Sequence, residues 1–303
     1  MLSIRSARRA ALAAASSIAL AAPALAAGPL SEWNLIVHND LKSTSEVDGS
    51  ALIGGSITQG TSNYSTQGVT ALNGAGLAVG GNINAGVTVN INNGGSLRIG
   101  GSVVGIANRN GGGALINDPG ITAQVNDIFT QLSTTSLALA SLAPNGSVSG
   151  DGNMNAVPTL IDGQLVAVYS FTNASIQSLG QLNLNFGSAN SVIINVSSTA
   201  GLIDLISPPN IIGGFNQANS SRILWNFFDA TSVIINNSFN GALLAPGADL
   251  KLLGGGINGA VAVNNISQQS AEIRRFNYTG YIPAPGASSI LAAAGLFAAR
   301  RRR

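Results

Sequence analysis

The sequence predicts a mainly β protein, a right-handed β-solenoid-like domain with one long α-helix packed alongside it. Apolar alternations of four to six residues are broken throughout by Gly-Gly, Asn-Gly or Asn-Asn pairs, which is typical of all-β sandwiches, barrels and solenoids. The Gly-Gly pairs begin at Gly54, Gly80 and Gly100. A loose repeat of roughly 20–26 residues favours the solenoid over a Gly-rich β-sandwich, which remains the alternative.

Glycine and asparagine account for the turns of this predicted solenoid. The chain has 303 residues, of which 38 are glycine, and it contains no cysteine. A glycine that recurs at one corner suits a backbone with positive φ, and asparagine tolerates the same conformation. Asparagines in neighbouring coils can also form hydrogen-bonded ladders. Backbone pairing and such ladders would therefore take the place of disulfides.

The segment from Met1 to Ala26 has the layout of a secretory signal peptide. Three arginines precede an apolar stretch from Ala10 to Leu20, and Ala24 and Ala26 form an A-x-A cleavage site. This order of a cationic region, a short apolar region and small residues is typical of such peptides. We therefore expect recognition by the secretion machinery and cleavage after Ala26.

Residues 282–303 predict a second targeting segment. Pro283 and Pro285 precede a short apolar run, Ala287–Ala299, and four arginines end the chain, Arg300, Arg301, Arg302 and Arg303. A spanning helix needs about 20 apolar residues, so this short hydrophobic helix suits transient membrane association. The layout resembles the PEP-CTERM sorting signal, although Ala284 stands where that family usually has glutamate. The resemblance implies an exosortase-type sorting enzyme as partner.

Between these segments, residues 27–281 form the predicted mature domain. It contains 7 basic and 12 acidic residues, so its formal net charge is 7 − 12 = −5. A nucleic-acid partner is disfavoured, because phosphate binding requires a cationic surface. One segment, about 119–142, predicts an amphipathic helix instead of strands. Its apolar positions at helical spacing are Ile121, Val125, Ile128, Phe129, Leu132, Leu139 and Leu142.

Two stretches of the domain resemble the choice-of-anchor A family. The first, Trp33 to Tyr64, contains "HNDLKSTSEVDGSALIGG", and the second, Arg222 to Val263, contains "LWNF", "GALLAP" and "GING". The resemblance extends over Leu30 to Gly280 and implies an adhesive domain at the cell surface, with a variable anchor. The order of strands, helix and strands is also similar to the β-solenoid of ice-binding proteins.

The sequence predicts no catalytic, cofactor-binding or metal-binding residue. His38 is the sole histidine, and no G-x-S-x-G elbow is present. The densest acidic group, Asp40, Glu46 and Asp48, lacks the spacing of a calcium loop. Among the aromatic residues, alternation along a strand would bury Trp225 and Phe227 on one face, so we expect them in a core instead of a sugar-stacking platform.

These observations predict a secreted, envelope-sorted and non-catalytic surface protein. Its expected role is adhesive or structural, in the cell surface or the extracellular matrix, with polysaccharide or other surface proteins as partners. The alternative is a carbohydrate-binding or carbohydrate-active β-solenoid. An ice-binding-like protein is the minor alternative, because Thr58, Thr61 and Thr70 are scattered along the sequence and predict no regular threonine row.

Overall fold

The chain winds repeatedly through three faces of stacked, mostly parallel β-strands. The computed structural model describes residues 28–282. Both targeting segments lie outside this range, and with them the predicted site residues Ala24, Ala26, Pro283, Pro285 and Arg300 to Arg303. Within it, each coil passes through the three faces in the same order, so equivalent strands of successive coils become neighbours. The prediction of a mainly β protein is confirmed.

The first face, which we call the helix face, is a long sheet against which the main helix packs. Its strands are β1 (Leu35–Val37), β4 (Ala51–Ile53), β7 (Ala75–Val79), β9 (Ser96–Ile99), β11 (Leu115–Asn117), β14 (Thr159–Ile161), β15 (Gln164–Thr172), β17 (Ser191–Ser197), β20 (Ile223–Asn226), β23 (Ala242–Leu252) and β25 (Val261–Gln268).

The second face, which we call the amide face, is named for its outward asparagines. Its strands are β3 (Glu46–Val47), β6 (Thr61–Tyr64), β8 (Thr88–Ile91), β10 (Ile106–Arg109), β12 (Ser147–Val148), β13 (Asn153–Asn155), β16 (Gln181–Asn185), β19 (Asn210–Gly213), β22 (Ser238–Asn240), β24 (Gly256–Asn258) and β26 (Glu272–Arg274). They form two separate sheets, because β19 and β22 are not hydrogen-bonded to each other.

The third face consists of the C-terminal parts of β23 (residues 249–252) and β25 (residues 265–268), together with four shorter strands. These strands are β2 (Leu41–Ser43), β5 (Ile57–Gln59), β18 (Leu202–Leu205) and β21 (Ser232–Ile235). The helices are α1 (Pro29–Glu32), α2 (Ile121–Ala140), α3 (Asn173–Gln177) and α4 (Gln217–Ser220).

The two ends of the domain meet in the middle of the helix face. Strand β1 pairs with β4 on one side and with β25 on the other, and Leu35 is in register with Val261. The coils that follow β1 therefore extend in one direction, and the coils that precede β25 extend in the other. We call the coils that contain β1 to β11 the first stack and the coils that contain β12 to β26 the second stack. Helix α2 follows β11, the last strand of the first stack, and contacts strands of both stacks. It thus connects the two stacks in sequence and in space.

The predicted Gly-Gly repeat marks one corner of the coils, but positive φ is not the reason for it. Gly54, Gly80 and Gly100 follow strands that pair in register, and none of the three has a positive φ. A Cβ on Gly80 would lie 2.3 Å from the carbonyl oxygen of Gly54, and one on Gly100 would lie 2.4 Å from that of Gly80. Close stacking of successive backbones therefore requires glycine here.

Helix α2 covers the helix face with the predicted apolar stripe. The buried members include Ile121, Val125 and Phe129, and they pack against a cluster of apolar side chains from the outer side of this sheet. Asp118 is not the helix cap: its carboxylate pairs with Arg98 at 2.7 Å, and the N-cap residue is Gly120. In the described part of the chain, no helix has the length and apolar character that a membrane span requires.

A buried polar network fixes the second half of α2 to the sheet. Asn226 accepts a hydrogen bond from the Ser136 hydroxyl at 2.6 Å and donates to the Asn195 side chain at 2.8 Å. Asn195 in turn donates to the Leu139 carbonyl at 2.7 Å. Buried polar groups are tolerated when they are hydrogen-bonded in this way, so the network gives α2 a defined register on the sheet.

Candidate functional surface

The amide face presents uncharged polar side chains in rows that cross the strands. On β6, β8 and β10, inward residues such as Val89 are buried, and the residues between them point outward. Thr61 lies opposite Thr88, and Asn63 lies opposite Asn90, which lies opposite Asn108. Adjacent strands are about 4.8 Å apart, so each row repeats at that spacing.

The asparagine row is a continuous hydrogen-bonded ladder. The Asn108 amide donates to the Asn90 side chain at 2.8 Å, Asn90 donates to Asn63 at 3.0 Å, and Asn63 donates to Glu46 at 3.2 Å. Each amide nitrogen donates one hydrogen to its neighbour and retains a second, which can be offered to a ligand. The ladder therefore holds its outward amides in a fixed orientation.

Further amide ladders continue this pattern. Asn110 donates to Asn92 at 3.0 Å at the neighbouring corner. On strands of the second stack, Asn258 donates to Asn240 at 2.8 Å, and Asn183 donates to Asn153 at 2.9 Å. The centre of the amide face is different, because the ion pair between Arg274 and Glu272 interrupts the neutral rows. The longest hydrogen-bonded row of asparagines on the described strands, with three members, therefore lies on β6, β8 and β10.

The sequence could have revealed this ladder through its spacing. Asn63, Asn90 and Asn108 follow one another at sequence separations of 27 and 18. The Gly-Gly pairs that begin at Gly54, Gly80 and Gly100 recur at comparable intervals. A search for asparagine at the period of the glycine repeat would have predicted the row. The expectation of asparagine ladders between neighbouring coils is confirmed, but the residues that form them were not identified from the sequence.

The other two faces are less regular in chemistry. The third face carries four charged residues on its strands, Lys42, Asp204, Asp249 and Lys251. The helix face is covered by α2 over several of its strands, and the Arg98–Asp118 ion pair lies at its β9 strand. The amide face also carries four charged residues, Glu46, Arg109, Glu272 and Arg274, but none of them lies on β6 or β8. A neutral ligand with a repeating surface therefore finds its best match at these strands.

The three acidic residues that are close together in the sequence, Asp40, Glu46 and Asp48, lie in three different places in the structure. Asp40 accepts the backbone N–H of Ser56 at 2.8 Å in one corner, and Glu46 ends the asparagine ladder on the amide face. Asp48 accepts the Thr66 hydroxyl at 2.7 Å in another corner. Each therefore supports a turn or a ladder. Among residues 28–282, no group of three or more acidic, His or Cys side chains is arranged to hold a metal ion.

The remaining candidates are structural. His38 lies 3.0 Å from the Asn126 side chain and stacks on Phe129, with ring centroids 4.5 Å apart, so it joins β1 to α2. Trp225 and Phe227 are buried and pack together with Phe239. The expected burial of Trp225 and Phe227 in a core is confirmed, and they offer no stacking platform at the surface.

Comparisons with known proteins find ice-binding proteins at low sequence identity. Among curated proteins, none matches this sequence. The ice-binding protein of the Antarctic ascomycete Antarctomyces psychrotrophicus is 14% identical, with 81% of this chain and 95% of that chain covered and a TM-score of 0.39. The ice-binding protein 1 DUF3494 domain of Shewanella frigidimarina is also 14% identical, with the same coverage of both chains and a TM-score of 0.38.

A family model settles the membership of the chain. The model matches residues 26–275 and is described as an ice-binding-like adhesive domain. The expectation that placed an adhesive or structural role first and ice binding last is therefore wrong in its main reading. Ice binding was ranked last because the threonines are scattered along the sequence. The register between strands, however, aligns residues that are distant in the sequence into rows.

The match also indicates whether the protein is an enzyme and where it is located. A family described by adhesion and ice binding is non-enzymatic, and it indicates an extracellular or surface protein. The description does not extend to a particular anchor or sorting signal. Since the match covers most of the sequence, the chain belongs to the ice-binding-like adhesive domain family.

Proposed function

We propose that the domain binds ice through the amide face of its first stack of coils. The observation that carries this proposal is the in-register ladder of Asn63, Asn90 and Asn108 beside the outward Thr61 and Thr88. Ice offers a repeating array of hydrogen-bond donors and acceptors. A row of amides and hydroxyls at a repeat of about 4.8 Å can meet many of them at once.

Rigidity supports this proposal. Ordering a flexible asparagine on binding costs conformational entropy, of the order of 0.5–1.5 kcal/mol for an immobilised side chain. In the ladder the amides of Asn90 and Asn108 are already hydrogen-bonded to their neighbours. The strands beneath them are anchored by buried residues, among them Val89, Ile91 and Tyr64. Little order therefore has to be gained when the face meets a solid surface.

The low charge of this region also suits ice. A charged side chain retains its hydration shell, and removing that shell is costly. Thr61, Thr88, Asn63, Asn90 and Asn108 are all neutral, and Glu46 lies at the end of the row. Contact along β6 and β8 therefore requires desolvation of amides and hydroxyls alone, whereas β10 adds the exposed side chains of Ile106 and Arg109 beside Asn108.

The test is to place a charged, longer side chain in the middle of the ladder. Asn90→Lys should reduce partition of the protein into growing ice by at least tenfold, because Lys disrupts both ladder bonds and retains its own hydration. The matched control is Ser232→Lys on the third face, where the residue is also half-buried and outward and lies opposite Asp249. It should bind ice as the wild type does, with unchanged circular dichroism for both variants.

Two results would contradict the proposal. The first is a wild-type protein that is excluded from ice as completely as an unrelated control protein. The second is an Asn90→Lys variant that retains wild-type partition while Ser232→Lys loses it, which would assign ice contact to the third face.

We also propose that the two terminal segments deliver the domain to the outside. The signal peptide and the PEP-CTERM-like tail support export, removal of Met1 to Ala26, and action of an exosortase-type enzyme near Pro283 and Pro285. The resemblance to the choice-of-anchor A family is compatible with such a tail. Intact-mass analysis of the exported protein should show a chain that begins near Ala27 and lacks Arg300 to Arg303. An exported chain that retains these arginines would contradict removal of the tail.

A further inference from the structure

The first stack of coils ends in two strands with an open outer edge. Strand β10 ends the amide face and pairs with β8, and β11 ends the helix face and pairs with β9. Within residues 28–282, neither strand has a partner on its other side. Such an edge presents unpaired backbone donors and acceptors and is a template for pairing with another chain.

The second stack ends in the same way on the same two faces. Strand β12 ends the amide face and β14 ends the helix face, and no further strand of the described range pairs with either. Both run antiparallel to their inner neighbours, β13 and β15. The molecule therefore has two open ends, and each end offers one edge strand from each of the same two faces.

Apolar side chains are concentrated at these ends. At the first end, Val104, Ile106 and Leu115 are between 53% and 62% exposed. At the second end, Val148, Val157 and Leu160 are between 40% and 68% exposed. Large exposed apolar residues beside unpaired strand edges are the features that native proteins usually avoid or cover.

The charges at the two ends are opposite in sign. Arg109 is exposed on β10 at the first end. Asp151 and Asp162 are exposed on the turns that follow β12 and β14 at the second end. Two copies that met through their first ends would bring Arg109 toward Arg109, and two second ends would bring aspartates together. Contact between unlike ends brings opposite charges together.

We propose that copies of this chain associate head to tail, with the first end of one copy against the second end of the next. Strand β11 would lie beside β14 of the neighbour, and β10 would lie beside its β12. Both new pairs would be antiparallel, because β14 and β12 run opposite to the strands that they cap. Such a contact between unlike surfaces does not close on itself, so it produces a linear array.

The association extends the amide face along the array. Each added copy presents another Asn63–Asn90–Asn108 ladder on the same side, so a repeating ligand would be held at several points. This consequence depends on the proposed ice contact, but the association itself does not. It can be measured in solution without ice.

The test uses the exported chain in sedimentation velocity over a range of concentrations. The wild type should show a mean mass that rises with concentration. Arg109→Glu alters the first end, and Asp151→Lys combined with Asp162→Lys alters the second end; each should weaken association by at least tenfold. Asp127→Lys, an exposed charge change on α2 away from the ends, is the matched control and should associate as the wild type does.

Mixing the variants distinguishes the proposed contact from other forms of association. The first end of the Arg109→Glu variant is acidic and the second end of the double variant is basic, so these two ends are complementary. The unaltered first end of the double variant and the unaltered second end of the Arg109→Glu variant are complementary as well. The mixture should therefore regain association that increases with concentration, as arrays in which the two variants alternate. A wild type that stays monomeric at every concentration would overturn the proposal. So would a mixture that remains monomeric, or an Asp127→Lys control that loses association as strongly as the end variants.

Discussion

The two stacks of coils are held together by different means. In the first stack, Gly54, Gly80 and Gly100 allow successive backbones to approach closely, and Tyr64 is the one aromatic residue in the described part of its strands. In the second stack, Trp225 packs against Phe215 and Phe239, at centroid distances of 5.3 and 4.8 Å. The first stack therefore depends on backbone fit, and the second depends on the burial of large side chains.

This difference explains where the regular surface lies. Coils with small interior side chains and glycine corners can repeat closely, so β6, β8 and β10 remain in register over the whole asparagine row. In the second stack, the helices α3 and α4 interrupt the succession of strands. Its two amide-face sheets are separate, because β19 does not pair with β22. A uniform row is therefore available on the first stack, and the second stack provides much of the core.

The largest expected effect concerns the aromatic core. Trp225 is 1% exposed and donates its indole N–H to the Asn240 carbonyl at 3.0 Å. Trp225→Ala should lower the free energy of unfolding by about 3–5 kcal/mol, the range for emptying a large aromatic site. Chemical denaturation measures this loss, and Trp225→Phe is the milder control. A loss below about 1 kcal/mol would contradict the role of aromatic burial in this stack.

Sequence reasoning succeeds where local pattern decides the outcome. Alternation along one strand predicted the burial of Trp225 and Phe227, and helical periodicity predicted α2 within two residues at each end. The pairing of strands that are distant in the sequence could not be predicted from such local patterns. Strand β25 lies between β1 and β23, and Leu35 meets Val261, because the fold returns the end of the domain to its beginning. No local feature of either strand encodes that partner.

The second prediction concerns the glycine corner. A Cβ on Gly80 would meet the Gly54 carbonyl oxygen at 2.3 Å and the Thr122 hydroxyl at 2.4 Å. Gly80→Ala should therefore destabilise the domain by about 1–3 kcal/mol, as expected for overpacking. Hydrogen exchange should show the largest loss of protection in β4, β7 and the start of α2. Gly74→Ala is a useful comparison, because no atom lies within 4 Å of its Cβ position, although its φ is +76°.

The outcome at Gly80 separates two explanations of the repeat. If positive φ were the reason for glycine, Gly74→Ala would cost as much as or more than Gly80→Ala. If close backbone approach is the reason, Gly80→Ala costs more. The sequence pattern indicates that glycine recurs, but it cannot separate these two requirements, because both leave the same residue in the sequence. Only the stacked backbones reveal which one applies.

The smallest effect is a pH dependence that originates in the one aromatic residue on the described strands of the first stack. Burial raises the pKa of the Tyr64 phenol, and the hydrogen bond from Ser62 opposes that shift in part. In the unfolded chain a tyrosine ionises near pH 10, so above that pH the unfolded state loses a proton that the folded state keeps. This contribution to stability is complete below about pH 10 and is lost as the pH rises toward the folded-state pKa.

Tyr64→Phe tests this contribution. Denaturation at pH 9, 10 and 11 should show a steeper loss of stability for the wild type than for the variant. The difference between the slopes approaches at most about 1.4 kcal/mol per pH unit, the contribution of one proton. Below pH 9 the variant should lose about 0.5–1.5 kcal/mol, because the hydrogen bond with Ser62 is removed. Tyr278, which is also buried and has a raised pKa, provides a residual slope in both proteins. Parallel slopes above pH 10 would mean that Tyr64 ionises in the folded state, and that the interior of the glycine-rich stack admits water.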